Sequence, residues 1–212
     1  MRISAIVPAY NEAERIEAVL RPLQRASCVD QIIVVDDGSS DATAQIAGDL
    51  GVEVVVLAAN RGKAAALDHG VRRARNEVLL FMDADLVGLQ PEQVEQLAST
   101  YFKEQVDMVV GVFRNGRLNT DLSQTLAPYL SGQRVLSRAL WQRIQRKVQD
   151  MDFGVEIALK KLSIKEGWRE AKVELNGVTH VMKEKKRGLG KGFRDRLKMY
   201  KDIVRSVFTK VG

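Results

Sequence analysis

Residues 31–41 read Gln-Ile-Ile-Val-Val-Asp-Asp-Gly-Ser-Ser-Asp. Four consecutive branched apolar residues, Ile32 to Val35, leave no polar alternation, the pattern of a strand buried on both faces. Two aspartates end the run. Gly38-Ser39-Ser40-Asp41 then turns the chain into a helical pattern carried by Ile46 and Leu50. The same unit recurs on either side. Upstream, residues 3–8 are an apolar run, and Asn11 stands three residues before Glu14 in a capping-box spacing. Ile16, Val19, Leu20 and Leu23 continue as a helix, with Pro22 expected to kink or shorten it. Downstream, 52–57 reads as a third strand, and Asn60-Arg61-Gly62-Lys63 leads into a helix through Ala66, Leu67, Val71 and Ala74. Residues 78–82 make another strand, ending at Asp83-Ala84-Asp85. Pro91 opens a helix through Val94, Leu97 and Phe102, and 108–113 follows as a strand. Buried strands alternating with amphipathic helices predict an α/β, Rossmann-like domain: a mostly parallel central sheet with helices on both faces.

After residue 113 the pattern changes. Residues 114–124 are polar and loop-like, 131–148 and 155–165 read as helices, and 168–175 alternates like a strand. Phe193, Leu197, Tyr200, Val204, Val207 and Val211 share one face of a predicted C-terminal amphipathic helix. No internal repeat or Pro/Gly-rich linker interrupts the chain. The expectation is one domain over 1–192, in halves 1–113 and 114–192, followed by a helix over 193–212.

Composition narrows the classes. In 212 residues, 45 % hydrophobic and 28 % charged content is globular, which excludes disorder and fibrous repeats. The apolar runs 32–35 and 52–59 are too short to span a membrane. The sequence enters its first strand without a basic-then-apolar leader, and its single cysteine, Cys28, suits a reducing compartment; a cytoplasmic location is expected. The net charge of +6 is uneven. Residues 183–212 hold eleven basic and three acidic side chains, so the tail is strongly cationic and the body near neutral. Such a tail suits phosphates, an anionic membrane or nucleic acid, and the sign alone does not choose.

In open parallel sheets, ligands settle beyond the carboxyl ends of the strands. Three successive strand ends carry Tyr10-Asn11-Glu12, Asp36-Asp37 and Asp83-Ala84-Asp85. Carboxylates from separate strands are therefore expected on one rim, where they repel unless a cation or a hydrogen-bond-rich ligand lies among them. Hard divalent ions such as Mg2+ take oxygen ligands and share them with substrate phosphates. The pattern points to a metal–diphosphate site. A strand-end aspartate is also an ordinary turn residue; its repetition at three ends favours function.

Val7-Pro8-Ala9-Tyr10-Asn11-Glu12, Val35-Asp36-Asp37-Gly38-Ser39-Ser40-Asp41, Asn60-Arg61-Gly62-Lys63 and Asp83-Ala84-Asp85 together resemble the ordered signature of family 2-type glycosyltransferases with the GT-A fold. The resemblance covers the first half and makes it the nucleotide-binding half. It implies that Pro8, Ala9 and Tyr10 line the base, with Tyr10 stacking on it, and that Glu12 reaches the ribose. It implies that Asp37 accepts the imide N–H of a uracil, which favours a UDP-sugar, with GDP-sugars used by related enzymes. Gly62 would admit the nucleotide, Lys63 would add positive charge, and Asp83 with Ala84 would border the ribose or sugar. Asp85, last acid of the D-x-D motif, would hold Mn2+ or Mg2+ against the diphosphate.

The second half resembles glucosyl-3-phosphoglycerate synthases and their relatives. Ser131-Gly132-Gln133-Arg134 sits where these enzymes place an acceptor-side loop, so Gly132, Gln133 and Arg134 are implied at the acceptor. Asp152-Phe153-Gly154-Val155-Glu156-Ile157 looks like the segment opening a helix under the transferred sugar. Val178-Thr179-His180-Val181-Met182-Lys183 looks like the strand-end histidine that completes the metal site, with Lys183 near the diphosphate. His69, mid-helix, reads as structural or solvated. An inverting transferase needs a carboxylate base, and Asp150, Asp152 and Glu156 are candidates, Glu156 first. An acceptor that is already an anion needs none.

The expected activity is metal-dependent sugar transfer from a nucleotide-diphosphate donor to a phosphorylated or hydroxyl acceptor. The other branch is a polyprenyl-phosphate acceptor at a membrane, with GDP-mannose or UDP-glucose as donor. The basic tail fits an anionic membrane surface, and packing on the body or on a second copy in a homodimer fits it equally. A sugar-phosphate nucleotidyltransferase would carry a Gly-rich basic loop where Ala9-Tyr10-Asn11-Glu12 stands. A phosphoacceptor signalling domain would have no use for Asp83-Ala84-Asp85. No recognised nucleic-acid motif accompanies the tail, so no specific nucleic acid is expected.

Overall fold

In the computed structural model, residues 2–113, 131–149 and 154–180 are described, with His180 described in its backbone only. The chain divides into two units, Met1–Thr179 and His180–Gly212, and the architecture that follows belongs to the first. Its strands are β1 (Ile3–Ala9), β2 (Val29–Asp36), β3 (Glu53–Val56), β4 (Val78–Phe81), β6 (Met108–Phe113), β7 (Arg134–Ser137) and β8 (Glu170–Leu175). They form one sheet in the order β3-β2-β1-β4-β7-β6-β8. Every pairing is parallel except those of β7, which runs against both β4 and β6. The short strand β5 (Leu86–Val87) and β9 (Thr179–His180) make a separate two-stranded sheet.

Helices cover both faces, as the sequence predicts. Against one face lie α1 (Ile16–Arg25), α2 (Thr43–Asp49) and α4 (Pro91–Glu104), which bury Leu20, Ala47 and Leu97 with Val7 and Val34. Against the other lie α3 (Lys63–Arg73), α5 (Arg138–Gln149) and α6 (Val155–Glu166), which bury Leu67, Trp141 and Leu159 with Ile33 and Phe81. There the Phe81 and Trp141 rings meet edge-to-face at 4.9 Å between centroids, a geometry worth about 0.5–1.5 kcal/mol beyond area burial. Gly70 lets α3 lie close on the sheet, since a Cβ there would collide with the Ile6 side chain. Gln90 and Gln93 close a reciprocal cap on α4, with Pro91 at its first turn.

Three expectations change. Asn11 does not cap α1, which starts at Ile16. It sits at φ +55°, and its Oδ1 accepts the Ser40 N–H at 2.9 Å. An asparagine tolerates that left-handed backbone, and its side chain is spent tying the β1 loop to the β2 loop. Pro22 does not shorten α1, which runs on through it to Arg25. Residues 131–148 are not one helix: Arg134–Ser137 is a buried antiparallel strand, and the helix begins at Arg138. Ser137 marks the break, its Oγ accepting the Leu140 N–H at 3.0 Å as an N-cap. The segments 114–130 and 150–153 and the predicted tail helix over 193–212 lie outside the described residues. No helix among the described residues is long and apolar enough to cross a membrane.

Candidate active site

Parallel pairing brings the carboxyl ends of β1, β2 and β4 to one rim. The reversed strand β7 adds its own beginning there: Arg134 pairs with Phe81, so the antiparallel register continues to place Gly132 opposite Asp83. Segments before β7 and after β4 thus meet side by side.

The nucleotide-side motifs are held together from beneath. The Asp37 N–H donates to the Ala9 carbonyl at 2.8 Å. The Asp37 carboxylate, 4 % exposed, accepts the N–H groups of Arg61 and Gly62, each at 2.8 Å. Gly38 lies so close to Ala59 and Asn60 that a Cβ would reach 2.8 Å from backbone. Asp37 therefore clamps the loop that delivers Lys63 at the start of α3. Gly62, at φ +85°, makes the turn into that helix in a conformation glycine adopts freely. Pro8 and Ala9 end β1, and Tyr10 follows with 47 % of its surface exposed, an aromatic face open at the rim. The Glu12 N–H donates to Thr43 Oγ1 at 2.9 Å, and the Glu12 carboxylate pairs with Arg15.

Lys63 links the two halves of the sequence. Its Nζ bridges Asp83 Oδ1 and Glu156 Oε1, residues 93 positions apart in the second case. Burial disfavours the ammonium, but Asp83 and then Glu156 outweigh burial and hold its pKa above the ordinary lysine value. The cation expected among the rim carboxylates is thus, in part, the protein's own. Backbone N–H groups compensate Asp37, and the Ser39 N–H donates to Asp36 Oδ1 at 2.9 Å. Among the described residues, no three His, Cys, Asp or Glu side chains gather as a metal cage.

Asp83 receives a second donor, Gln133 Nε2, on Oδ2 at 2.8 Å. Gly132 permits this approach, because a Cβ there would collide with the Asp83 carboxylate. Gln133 and Arg134, read from sequence at the acceptor, have at most 1 % exposure and face inward. Arg134 Nε donates to the Ser131 carbonyl at 3.1 Å, and its Nη2 to the Glu156 carbonyl at 3.3 Å. Burial lowers the Arg134 pKa from its usual value, with Glu156, Glu170 and Asp83 opposing that effect. Both residues hold up the site from below rather than lining its opening.

Ala84 is buried and Asp85 half-buried on the loop between β4 and β5. The Asp85 carboxylate is a hard oxygen donor on the same loop as Asp83, which fits Mg2+ or Mn2+. Glu156 opens α6, after Gly154. Asp150, Asp152 and Lys183 lie outside the described residues, as does the His180 side chain. The Gln133–Asp83 bond was not legible in the sequence, because it depends on a β7 register that only the folded sheet fixes. Ser131 was visible as part of its motif, but its role was not.

The model of the family "Glycosyl transferase family 2" matches residues 4–165. An undecaprenyl-phosphate 4-deoxy-4-formamido-L-arabinose transferase of Pseudomonas fluorescens is 35 % identical over 129 residues, covering 54 % of this chain and 36 % of that protein. A dolichyl-phosphate beta-glucosyltransferase of Mus musculus is 37 % identical over 100 residues, covering 40 % and 31 %. The chain thus spans about a third of the length of these curated relatives. Glucosyl-3-phosphoglycerate synthase from Mycobacterium tuberculosis, crystallised with Mn2+, UDP and glucosyl-3-phosphoglycerate, superposes with a TM-score of 0.71 at 27 % identity, over 98 % of this chain and 79 % of that one.

Proposed function

The chain belongs to glycosyl transferase family 2, and from that premise we propose that it moves a sugar from a nucleotide diphosphate, a UDP-sugar first, to a phosphate-bearing acceptor. The observation that carries the reading is Lys63 bridging Asp83 and Glu156. It joins the loop expected at the diphosphate to the helix start expected under the sugar. The donor preference draws support from the solved neighbour's UDP. The acceptor class draws support from two sides, since two relatives are named for polyprenyl phosphates and the neighbour was also crystallised with phosphoglyceric acid.

Each rim residue then has a task. Tyr10 stacks on the base, with Pro8 and Ala9 beside it, and Glu12 reaches the ribose. Asp37 keeps the 60–62 loop in place, with lone pairs left for an imide N–H. Asp83, with Ala84 behind it, borders the sugar. In transfer, an acceptor oxygen bonds to the anomeric carbon while the bond from that carbon to the diphosphate oxygen breaks, its electron pair leaving with the diphosphate. Lys63 opposes the charge that develops, a task at which one well-placed group contributes about 3 kcal/mol. A hydroxyl acceptor gives its proton to Glu156; a phosphate-oxygen acceptor carries none, and Glu156 then orients the sugar. Asp85 would hold Mn2+ or Mg2+, which when bound neutralises charge on the diphosphate. The basic amphipathic segment 193–212 would meet an anionic membrane, and salt-sensitive vesicle binding that disappears on deleting it tests that contact.

Calorimetric titration of UDP and GDP, with and without Mn2+, on the wild type and on Asp85→Ala tests the reading. Mn2+-dependent UDP binding lost in Asp85→Ala is expected. A GDP preference would move the donor to GDP-sugars, and no binding of either nucleotide would overturn the reading.

A further inference from the structure

We propose that Gln133 is a positioning residue for the donor sugar, acting through Asp83. The inference rests on the sugar-transfer reading above and goes beyond it, because it assigns a specific task to a fully buried side chain with no access to the acceptor. Gln133 has no solvent exposure. Its Nε2 donates to Asp83 Oδ2 at 2.8 Å, and its Oε1 lies 2.8 Å from Ser131 Oγ. The orientation of the amide follows from chemistry. A carboxylate only accepts, so the NH2 end must face Asp83, and the oxygen must face the hydroxyl. Ser131 Oγ also stands against the Gly111 carbonyl, so its single hydroxyl proton is shared between that oxygen and Gln133 Oε1. The chain Gly111–Ser131–Gln133–Asp83 is therefore a relay running from the β6 backbone up to the rim.

The relay controls the rotation of the Asp83 carboxylate. Lys63 holds Oδ1 and Gln133 holds Oδ2, so neither oxygen turns without losing a donor. Gly132 packs under the same carboxylate with no room for a Cβ. Lys63 alone would not fix that plane, since an ammonium on a four-carbon stem follows the carboxylate as it turns. A neutral buried amide adds direction without adding charge. It leaves Lys63 shared between Asp83 and Glu156, whereas a second cation in its place would compete for Asp83.

The test separates sugar binding from nucleotide binding. Wild type, Gln133→Leu, Asp83→Asn and the double variant are titrated with UDP and with UDP-glucose, each with Mn2+, and each variant's thermal midpoint is recorded. Gln133→Leu is expected to bind UDP as the wild type does and to lose about tenfold or more of its UDP-glucose affinity, the scale of one hydrogen bond to a charged group. In the Asp83→Asn background, Gln133→Leu should cause no further loss, which a merely structural role would not produce. Equal UDP-glucose binding in wild type and Gln133→Leu, or additive losses in the double variant, would overturn the inference while leaving the transferase reading intact. Wild type that binds UDP but gains nothing from the glucose would also overturn it. Failure of the wild type to bind either ligand would overturn both. If Gln133→Leu does not fold, Gln133→Met and Ser131→Ala carry the same comparison, and unchanged UDP-glucose binding in both would refute the proposal.

Discussion

Replacing Lys63 with methionine removes a charged group that touches both Asp83 and Glu156 while keeping a stem of similar length. The two carboxylates, 14 % and 19 % exposed in their side chains, then face each other across the space the ammonium filled. Breaking a fully buried ion pair by removing one partner costs about 3–5 kcal/mol. Lys63 retains 31 % side-chain exposure, so water screens the orphaned acids, and about 2–3 kcal/mol is the expected cost. For a chain of this size that is a fall of roughly 4–12 °C in the thermal midpoint. The sign with pH follows from the raised lysine pKa. Its stabilisation is complete below the unfolded value of about 10.4 and is lost only as pH rises through the higher folded value, so the effect at pH 7 is undiminished. Urea unfolding at pH 7 measures it, with an unchanged m-value showing that the folded state is still the same. The double variant Lys63→Met/Asp83→Asn removes the repulsion and should recover about half of the loss. A single variant within 0.5 kcal/mol of wild type, or a double variant no better than the single, would refute the claim that this ion triad holds the two halves of the site together.

Gly70→Ala should destabilise the protein by about 1–2 kcal/mol despite alanine's better helix propensity, because the new methyl collides with Ile6 and comes within 3.2 Å of Val35; chemical denaturation reads this directly, and a stabilised variant would contradict the packing. Asn11→Ala should cost about 1–2 kcal/mol by losing the Ser40 bond and placing an alanine at φ +55°. Asn11→Gly should cost less, which the same denaturation series compares. The Glu166 pKa is lowered chiefly by its bond from Lys147, with burial opposing and Trp168 assisting. Its contribution is therefore present above the unfolded carboxylate value of about 4.3 and lost as pH falls through the lower folded value. The thermal midpoints of wild type and Glu166→Gln should differ at pH 7 in low salt and converge as pH falls through the lowered folded value, or in 1 M NaCl.

The strands β1, β2 and β4 were legible because each is a largely buried apolar run leading to a polar rim, a pattern that needs no tertiary information; β3 was read from its valines, although it is only partly buried and Val56 is exposed. The start of α1 was not, because Asn11 had a competing use for its side chain that only the β2 loop, 29 residues on, reveals. β7 was absorbed into a helix because four residues, Arg-Val-Leu-Ser, only two of them apolar, carry no period that separates strand from helix. In the site, sequence order identified the types of residue and the rim that gathers them. It did not show what each residue is already bound to. Glu156 lies far from Lys63 in the chain, and Gln133 and Arg134 look like exposed polar residues until the sheet closes over them.

The reversal of β7 has a consequence for how such a fold diversifies. β6 ends at Phe113 and β7 begins at Arg134 on the same rim, so the chain departs from the sheet and rejoins it at one edge of the cleft. Lengthening or replacing what comes between requires no change in strand order or in the register of Phe81 with Arg134. The rim built by β1, β2 and β4 is untouched, since its loops follow other strands. A lineage can therefore rewrite that single connection while the strand order and the loops after β1, β2 and β4 are inherited unaltered.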